Sequence, residues 1–386
     1  VESDDGWRRA EPDGVPECVD ACRIRYRFDL ERAAESVDDI EIAARRGDVF
    51  LSPPSAWLLR PEEGKGVRYR FDVETPAGVD FVTGVWPDPD EPRAFGGDAG
   101  YLWRAPYSAF GSFLEHRVEL RRGNLDIALA RDVDAKVVLP WLEGAARTVT
   151  DYFGRFPLPR ALIVVLPQSG WRVHGTQMGG GGASIVLTVG DDADARSLAR
   201  DWVAVHEMVH LAVPSMPRRH LWLTEGLATY VEPLARARRK QLGVLQVWRG
   251  MVWGMPHGLP EDGDRGLDRT PTWGRTYWGG ALFAMLADIE IRKQTEGRRS
   301  LDDALRAVVE RGGHNGVIWS IDRFFAVGDE ATGTTVLADL YARMARAPHP
   351  VDLSALWREL GVVGRGQSLR FDDRAPLAHI RRALTR

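Results

Sequence analysis

At 386 residues the chain is too long to fold around one compact core, so two or three domains are expected. Its net charge of −4 is small for this length, which argues against nucleic acid or an anionic membrane surface as a partner. No uninterrupted apolar run is long enough to span a membrane, and the hydrophobic content of 44% is ordinary for a globular protein.

The N-terminal stretch from Val1 to about Gly14 has the composition of a flexible lead, and two cysteines follow it at Cys18 and Cys22. An extended backbone would hold their Cα atoms about 13 Å apart, whereas a turn would bring them into disulfide range. We expect the disulfide, which favours an oxidising, extracytoplasmic (periplasmic or secreted) compartment; two free thiols are the alternative. Because the chain begins with Val1 rather than Met, we also expect that a leader or tag has been removed.

Alternating apolar and polar residues dominate the first third of the chain. They occupy residues 24–30, 67–73 and 118–129, where Arg122-Gly123-Asn124 reads as a hairpin turn. This alternation predicts an antiparallel β-sandwich over residues 1–131. The arginines on the polar face could indicate nucleic-acid binding, but the acidic residues between them favour a sheet face exposed to solvent.

Longer, helical spacing begins at Val133 and continues to Tyr152, with Pro140 as a point where the helix can kink. A buried strand is predicted at residues 161–166, followed by a glycine-rich segment at 175–182 and a second strand at 183–189. Helical patterns return at residues 276–293, 300–310, 332–346 and 353–360, so the C-terminal third is predicted to be a helical bundle.

The segment from Asp201 to Glu232 carries the strongest chemical signal. It contains His206-Glu207-x-x-His210, and histidines four residues apart on a helix point to the same side. Their imidazoles can share one tetrahedral metal, with Glu207 placed to take a proton from water at that metal. The alternative is a pair of hydrogen-bonded core histidines, but such a buried set is costly to desolvate without a metal.

A third ligand must come from elsewhere in the chain. In the pattern H-E-x-x-H-x-x-G-x-x-H it is a histidine six residues after the second, but Met216 stands there and Val213 replaces the glycine. His220 ends a loop and is expected to face solvent or to cap a helix. Glu225 lies one turn inside the next helix among apolar residues, where a cation is its natural partner. Pro233 is expected to end or kink that helix.

Three stretches resemble the gluzincin metallopeptidases, the group that includes thermolysin and aminopeptidase N. Leu221–Glu232 resembles their third-ligand helix, Trp273–Ala284 the segment with their transition-state tyrosine, and Tyr101–Pro106 the end of their N-terminal β domain. The layout is most similar to the glycyl aminopeptidase family. The resemblance implies an α+β protein with a thermolysin-like zinc catalytic domain over residues 132–295 and a C-terminal α-helical domain over 296–386.

The resemblance also implies roles for five residues. Zinc would be held by His206, His210 and Glu225, with Glu207 as the general base and Tyr277 as a hydrogen-bond donor to the oxyanion. In gluzincins the strand at the glycine-rich segment forms the upper rim of the cleft and binds the substrate backbone as an added strand.

The rim departs from the family pattern in one respect. Aminopeptidases of this group carry, after a methionine, a glutamate that grips the free amine of the substrate. Here Met178 is followed by Gly179 and Gly180, and Asp191 and Asp192 are candidate substitutes by their position alone. Exopeptidase and endopeptidase cleavage therefore both stay open.

The sequence predicts a zinc-dependent metallopeptidase that acts on a peptide or protein substrate. Two alternatives stand beside it: a zinc-containing protein that binds peptides without turnover, and a non-peptide hydrolase on the same scaffold. Glu207 argues against the first alternative, because a purely structural zinc site does not need a base. Side-chain preference and oligomeric state are left open by the sequence.

Overall fold

The computed structural model describes residues 2–3, 6–7, 23–62, 64–91 and 93–386. Within them the protein combines helices with several small sheets, and its C-terminal region is helical. Inside the predicted lead, β1 (Glu2–Ser3) and β2 (Gly6–Trp7) pair in antiparallel fashion. Cys18 and Cys22 lie outside the described residues, so their disulfide stays a prediction.

An antiparallel sheet and a two-stranded ribbon form the N-terminal region. The sheet has the order β3-β4-β8-β6 and the ribbon pairs β5 with β7. Phe81 of the sheet contacts Phe71 of the ribbon, with ring centroids 6.4 Å apart, so the ribbon packs against the sheet. A β-sandwich over residues 1–131 stays a prediction. The elements are β3 (Ala44–Arg46), β4 (Val49–Leu51), β5 (Arg68–Phe71), β6 (Asp80–Thr83), β7 (Phe95–Asp98), β8 (Ser108–Gly111), α1 (Leu30–Val37) and α2 (Pro54–Trp57).

The strand predicted at residues 24–30 is wrong. Residues 24–29 lie in irregular backbone, and α1 begins directly after Asp29, whose side chain caps its first turn. Ile24, Tyr26 and Phe28 are all at least 38% exposed. Their alternation with polar residues therefore does not mark one buried face of a sheet.

A five-stranded sheet of order β12-β13-β11-β10-β9 forms the centre of the protein. Its strands are β9 (Phe113–Leu120), β10 (Gly123–Ala130), β11 (Arg160–Gln168), β12 (Val173–Gly179) and β13 (Ala183–Gly190). Strands β10, β11 and β13 run parallel, and the two edge strands β9 and β12 run antiparallel to their neighbours.

The predicted hairpin at residues 118–129 forms, but it belongs to this central sheet and not to the N-terminal one. The reason is that β10 is buried on both faces. Leu125 and Ile127 pack against the helices, whereas the small side chains of Ala128 and Ala130 face the core shared with the N-terminal sheet. The predicted boundary between residues 131 and 132 thus separates two strands of one sheet, and the division into three domains stays a prediction.

Helices cover the central sheet and make up most of the C-terminal region. They are α3 (Ala135–Phe153), α4 (Ala195–Leu198), α5 (Val203–His210), α6 (Leu221–Arg238), α7 (Val244–Gly254), a π-helix (Gly274–Gly279), α8 (Gly280–Gln294), α9 (Leu301–Glu310), α10 (Ile321–Thr332), α11 (Val336–Met344), α12 (Leu353–Leu360) and α13 (Ala378–Leu384). Strands β14 (Val362–Val363) and β15 (Arg370–Phe371) pair beside α12. Helix α6 continues through Pro233 to Arg238, so the predicted end there is wrong. In the described part of the chain, no helix is both long enough and apolar enough to cross a membrane.

Candidate metal centre

Two histidines project from the buried helix α5 to one side. His206 and His210 are 4% and 3% exposed, and their ring centroids lie 4.9 Å apart. The four-residue spacing brings the rings together because 3.6 residues make one helical turn. The pairing predicted from the sequence is therefore present in the fold.

Glu225 reaches both rings from the first turns of α6. Its Oε2 lies 3.3 Å from His206 Nε2 and 3.4 Å from His210 Nε2. A charge-assisted hydrogen bond is shorter, at about 2.7–2.9 Å. Ligands about 2.0–2.1 Å from a tetrahedral metal are about 3.3–3.4 Å from one another. The two distances from Glu225 therefore match two edges of a metal tetrahedron, and the three side chains can hold a metal ion.

His220, the other candidate for third ligand, is occupied elsewhere. It is 1% exposed, and its Nδ1 lies 2.9 Å from an oxygen of Asp268. The indole N–H of Trp222 donates to the same oxygen. His220 does not face solvent. It occupies the N-cap position of α6, as one of the two predictions had it, but its side chain makes no capping bond, because a carboxylate 48 residues further along the chain holds it in the core.

Burial and nearby charge set the protonation of the acidic groups here. Glu207 is 9% exposed, and burial raises the pKa of its carboxyl to about 7. Burial also opposes ionisation of Glu225, but the close imidazoles of His206 and His210 outweigh it and hold the pKa of Glu225 well below its usual range. Glu225 is thus an anionic ligand candidate, and Glu207 is poised to exchange a proton near neutral pH.

Tyr277 lies on the π-helix and faces the same site. Its ring stacks near His206, with centroids 6.5 Å apart and an interplanar angle of 23°. Burial, followed by the charges of Glu225 and Glu207, raises the pKa of its hydroxyl to about 12. Tyr277 therefore stays protonated at neutral pH and keeps a hydrogen-bond donor beside the metal-ligand candidates.

The overall architecture is shared with solved zinc metallopeptidases. An aminopeptidase N family protein from Idiomarina loihiensis superposes with a TM-score of 0.63 at 13% identity, over 84% of this chain and 63% of that one. The chain has the fold of the M1 zinc metallopeptidases. It spans only about 63% of the length of the Idiomarina protein.

Two further M1 structures agree with this fold. A two-domain M1 zinc metallopeptidase bound to L-arginine matches with a TM-score of 0.51 at 15% identity, over 80% of this chain and 73% of that one. One from Deinococcus radiodurans bound to a Tyr-Ser-Ala substrate matches with the same TM-score at 14% identity and the same coverage. No family profile matches this sequence, and no curated protein sequence matches it either. The predicted resemblance to the relatives of aminopeptidase N is confirmed at the level of fold.

Within this M1 metallopeptidase fold, β12 is the edge strand that runs beside Glu207. A Cβ added at Gly175 would lie 2.5 Å from Glu207 Cγ, so this close approach requires glycine. Among the described residues β12 pairs only with β13, so no strand of that part of the chain occupies its other side, where an added strand could pair.

Neither predicted substitute for the amine anchor reaches the rim near Met178. Asp191 follows the end of β13, whereas Met178 pairs with Ser184 near its beginning, about 20 Å away along the strand. The Asp191 carboxylate instead accepts a hydrogen bond from the backbone N–H of Gly170. Asp192 is the next residue in the same exposed turn.

The sequence did not predict a neutral amide pair at this end of β12. The Asn315 side chain, 3% exposed, donates to the Gln177 side chain at 3.1 Å, and a Cβ at Gly179 would collide with Asn315. Asn315 comes from the loop after α9 and also donates its backbone N–H to Leu211, just past α5. No spacing rule could have found it, since it lies 138 residues from Gln177.

Arg275, two residues before Tyr277 on the π-helix, is paired inside the fold. It is 3% exposed and forms an ion pair with Asp264 at 2.7 Å, while it also donates to the carbonyl of Gly258. Its charge is therefore used inside the fold to hold the π-helix against the preceding loop.

Helix α6, which carries Glu225, touches α8 at two glycines, and α8 directly continues the π-helix that carries Tyr277. Gly226 of α6 and Gly280 of α8 pack backbone against backbone, and a Cβ at Gly280 would overlap the carbonyl oxygen of Trp222. This contact sets the separation of the two helices. Larger residues here would push Tyr277 away from Glu225.

Gly280→Ala is accordingly expected to lower the free energy of unfolding by about 1–3 kcal/mol, because the methyl group meets backbone that cannot turn aside. Denaturant unfolding measures the change. Gly250→Ala is the matched control, since a Cβ there meets no atom within 4 Å and a helical alanine is favourable. Equal stability of Gly280→Ala and wild type would contradict the tight crossing.

Proposed function

We propose that the protein is a zinc-dependent metallopeptidase. The observation that carries the proposal is the spacing of two buried histidines and the half-buried Glu225. His206 and His210 each lie 3.3–3.4 Å from one oxygen of Glu225, as two edges of a metal tetrahedron would. Two imidazoles and one carboxylate are the donor set of catalytic zinc sites, which leave the fourth position open.

The protein's own groups divide the chemistry between them. Zinc bound to this set would act as a Lewis acid toward the scissile carbonyl and lower the pKa of water to about 7. Glu207 would accept the proton of the attacking water and pass it to the nitrogen of the leaving amine. Its burial and its pKa near 7 support both transfers, since at neutral pH the carboxyl can then gain or lose a proton at a small cost in free energy.

The edge strand supports an extended peptide as the substrate. A chain laid along β12 would form backbone hydrogen bonds with its free side, and Gly175 leaves room for the scissile bond next to Glu207. At the Met178 end, the uncharged Gln177–Asn315 pair offers no carboxylate to a free amine. Experiment therefore decides whether the protein cuts at the end of a peptide, as an exopeptidase, or inside it, as an endopeptidase.

Tyr277→Phe is expected to lower kcat by about 10²–10³-fold with little change in KM, because a donor to the oxyanion acts mainly in the transition state. Steady-state kinetics on one cleaved peptide measures both constants. Tyr26→Phe, on an exposed tyrosine in the N-terminal region, is the control and should leave both unchanged. A kcat equal to that of wild type would leave Tyr277 with a packing role only.

A peptide-library digest tests the proposed function. Protein purified without chelators is incubated with the library as prepared, after chelation, and after zinc is restored, and products are identified by mass spectrometry. Cleavage that stops on chelation and returns with zinc is the expected result. Peptide binding without cleavage would instead indicate the non-catalytic binding protein. Bound zinc with neither cleavage nor peptide binding would point to a non-peptide hydrolase.

A further inference from the structure

A cavity of about 560 Å³ opens directly beside the candidate metal centre. His206 and Tyr277 form part of its wall, so the cavity and the site share a boundary. The remaining walls come from the second half of α6, from α7 and from the π-helix. A volume of this size is typical of pockets that bind small molecules or side chains.

The cavity is lined mainly by apolar residues, with tryptophans and methionines prominent among them. Trp202, Trp253 and Trp273 are 50%, 62% and 57% exposed, and Trp253 packs edge-to-face against Trp278 with centroids 5.9 Å apart. Exposed aromatic clusters of this kind mark binding surfaces. Met251 adds a polarizable side chain that adapts to the shape of a ligand.

The polar part of the lining consists of a buried ion pair together with Arg200, Thr229 and Gln246. Arg236 donates to Glu232 at 2.8 Å and to the backbone carbonyls of Ala199 and Arg200, so its guanidinium is already bonded to three acceptors. Glu232 in turn has its charge balanced by Arg236. The ion pair therefore has no spare charge to attract a charged side chain. Arg200 adds an exposed charge to the wall, but most of the lining is apolar and favours an uncharged, apolar group.

We propose that this cavity is the side-chain pocket of the enzyme and selects substrates with a large aromatic or aliphatic residue beside the scissile bond. The inference rests on the proposed function, since it assigns the pocket to a peptide held at the metal centre. A peptide with its reacting carbonyl next to His206 and Tyr277 has one flanking side chain within reach of the cavity. An aromatic ring there buries a large area against the tryptophans and gains offset or edge-to-face contacts with them.

Gly250 on α7 provides a way to fill the pocket. It lines the cavity, and a Cβ added to it would meet no atom within 4 Å. Gly250→Phe should therefore project a ring into the cavity while α7 stays intact. Gly250→Ala also replaces the glycine by a residue that favours the helix, but it does not fill the space, and it is the matched control.

The experiment combines binding with cleavage on the full-length, zinc-loaded protein. Dissociation constants for N-acetyl-L-phenylalaninamide and N-acetyl-L-alaninamide are measured by quenching of tryptophan fluorescence and by calorimetry. Wild type and Gly250→Ala should bind the phenylalanine compound at least about tenfold more tightly, because even one methylene in an apolar pocket is worth about tenfold or more. In Gly250→Phe that preference should disappear. The library digest should show enrichment of large apolar residues at one position next to the cut.

The results that would refute the pocket differ from those that would refute the proposed peptidase activity. Cleavage with no preference at either flanking position, together with equal binding of the two amides, would overturn the pocket and leave the peptidase standing. Selective binding of the phenylalanine compound without any cleavage would refute the peptidase and keep the pocket. If a folded Gly250→Phe protein still bound the phenylalanine compound more tightly, the site that selects this compound would lie outside the cavity. The wild-type comparison of the two amides tests the pocket even if that variant does not fold.

Discussion

Glu207→Gln is expected to lower kcat for peptide cleavage by about 10²–10⁴-fold while zinc stays bound, because glutamine keeps the shape of the side chain and loses its basicity. Glu207 is buried next to the two ligand candidates and contacts the edge strand at Gly175, so no other described carboxylate replaces it at that position. Single-turnover kinetics and elemental analysis of the same sample measure the rate and the metal content.

The control for this variant is Glu310→Gln, which makes the same chemical change on an exposed residue at the end of α9. Its kcat and zinc content should equal those of wild type. A Glu207→Gln protein that turns over at the wild-type rate would refute the assignment of the base. Loss of zinc together with activity would show that Glu207 acts on the metal rather than on the proton.

Glu225→Ala is expected to remove zinc almost completely. The substitution deletes the only anion of the proposed ligand set and leaves two imidazoles, so the fall in affinity should exceed the roughly 10–100-fold that outer-shell partners of a metal contribute. Competition with a chromogenic chelator measures the affinity, and circular dichroism checks that the fold persists. Activity should fall in parallel with zinc content.

Glu310→Ala serves as the matched control for that substitution and should retain one zinc per chain. Retention of zinc with wild-type affinity in Glu225→Ala would contradict the ligand assignment. His220→Ala, on the rival candidate, should leave zinc binding intact, because His220 is bonded to Asp268 and not to the metal-ligand candidates.

The local part of the candidate site could be predicted because it depends on helix periodicity. His206 and His210 are one helical turn apart, and Glu225 is a carboxylate inside an apolar helical pattern that needed a charged partner. Tyr277 was predicted from the resemblance, and the fold places it beside His206. Its π-helical backbone was not predicted, since π-turns have no reliable pattern in the sequence.

Predictions that depended on distant partners were less successful. The alternation at residues 24–30 predicted a strand, yet no buried face forms there and a capped helix begins after Asp29. The hairpin at residues 118–129 was correct as a hairpin and wrong in its sheet, because Ala128 and Ala130 gave no sign that the second face of β10 is buried. His220 likewise found Asp268 only through the tertiary fold.

By itself, the amino-acid sequence determined the spacing of the two histidines, the glutamate between them and the helix that brings a carboxylate after them. These features depend on rotation per residue along one helix, which a chain of any fold must obey. Only the tertiary structure decided that the Gly226–Gly280 contact brings Glu225 and Tyr277 to the same site. It also decided that Asn315 contacts the end of β12 and that four tryptophans line a cavity beside His206. Those contacts join residues tens to more than a hundred positions apart, and their energies depend on packing that no local pattern records.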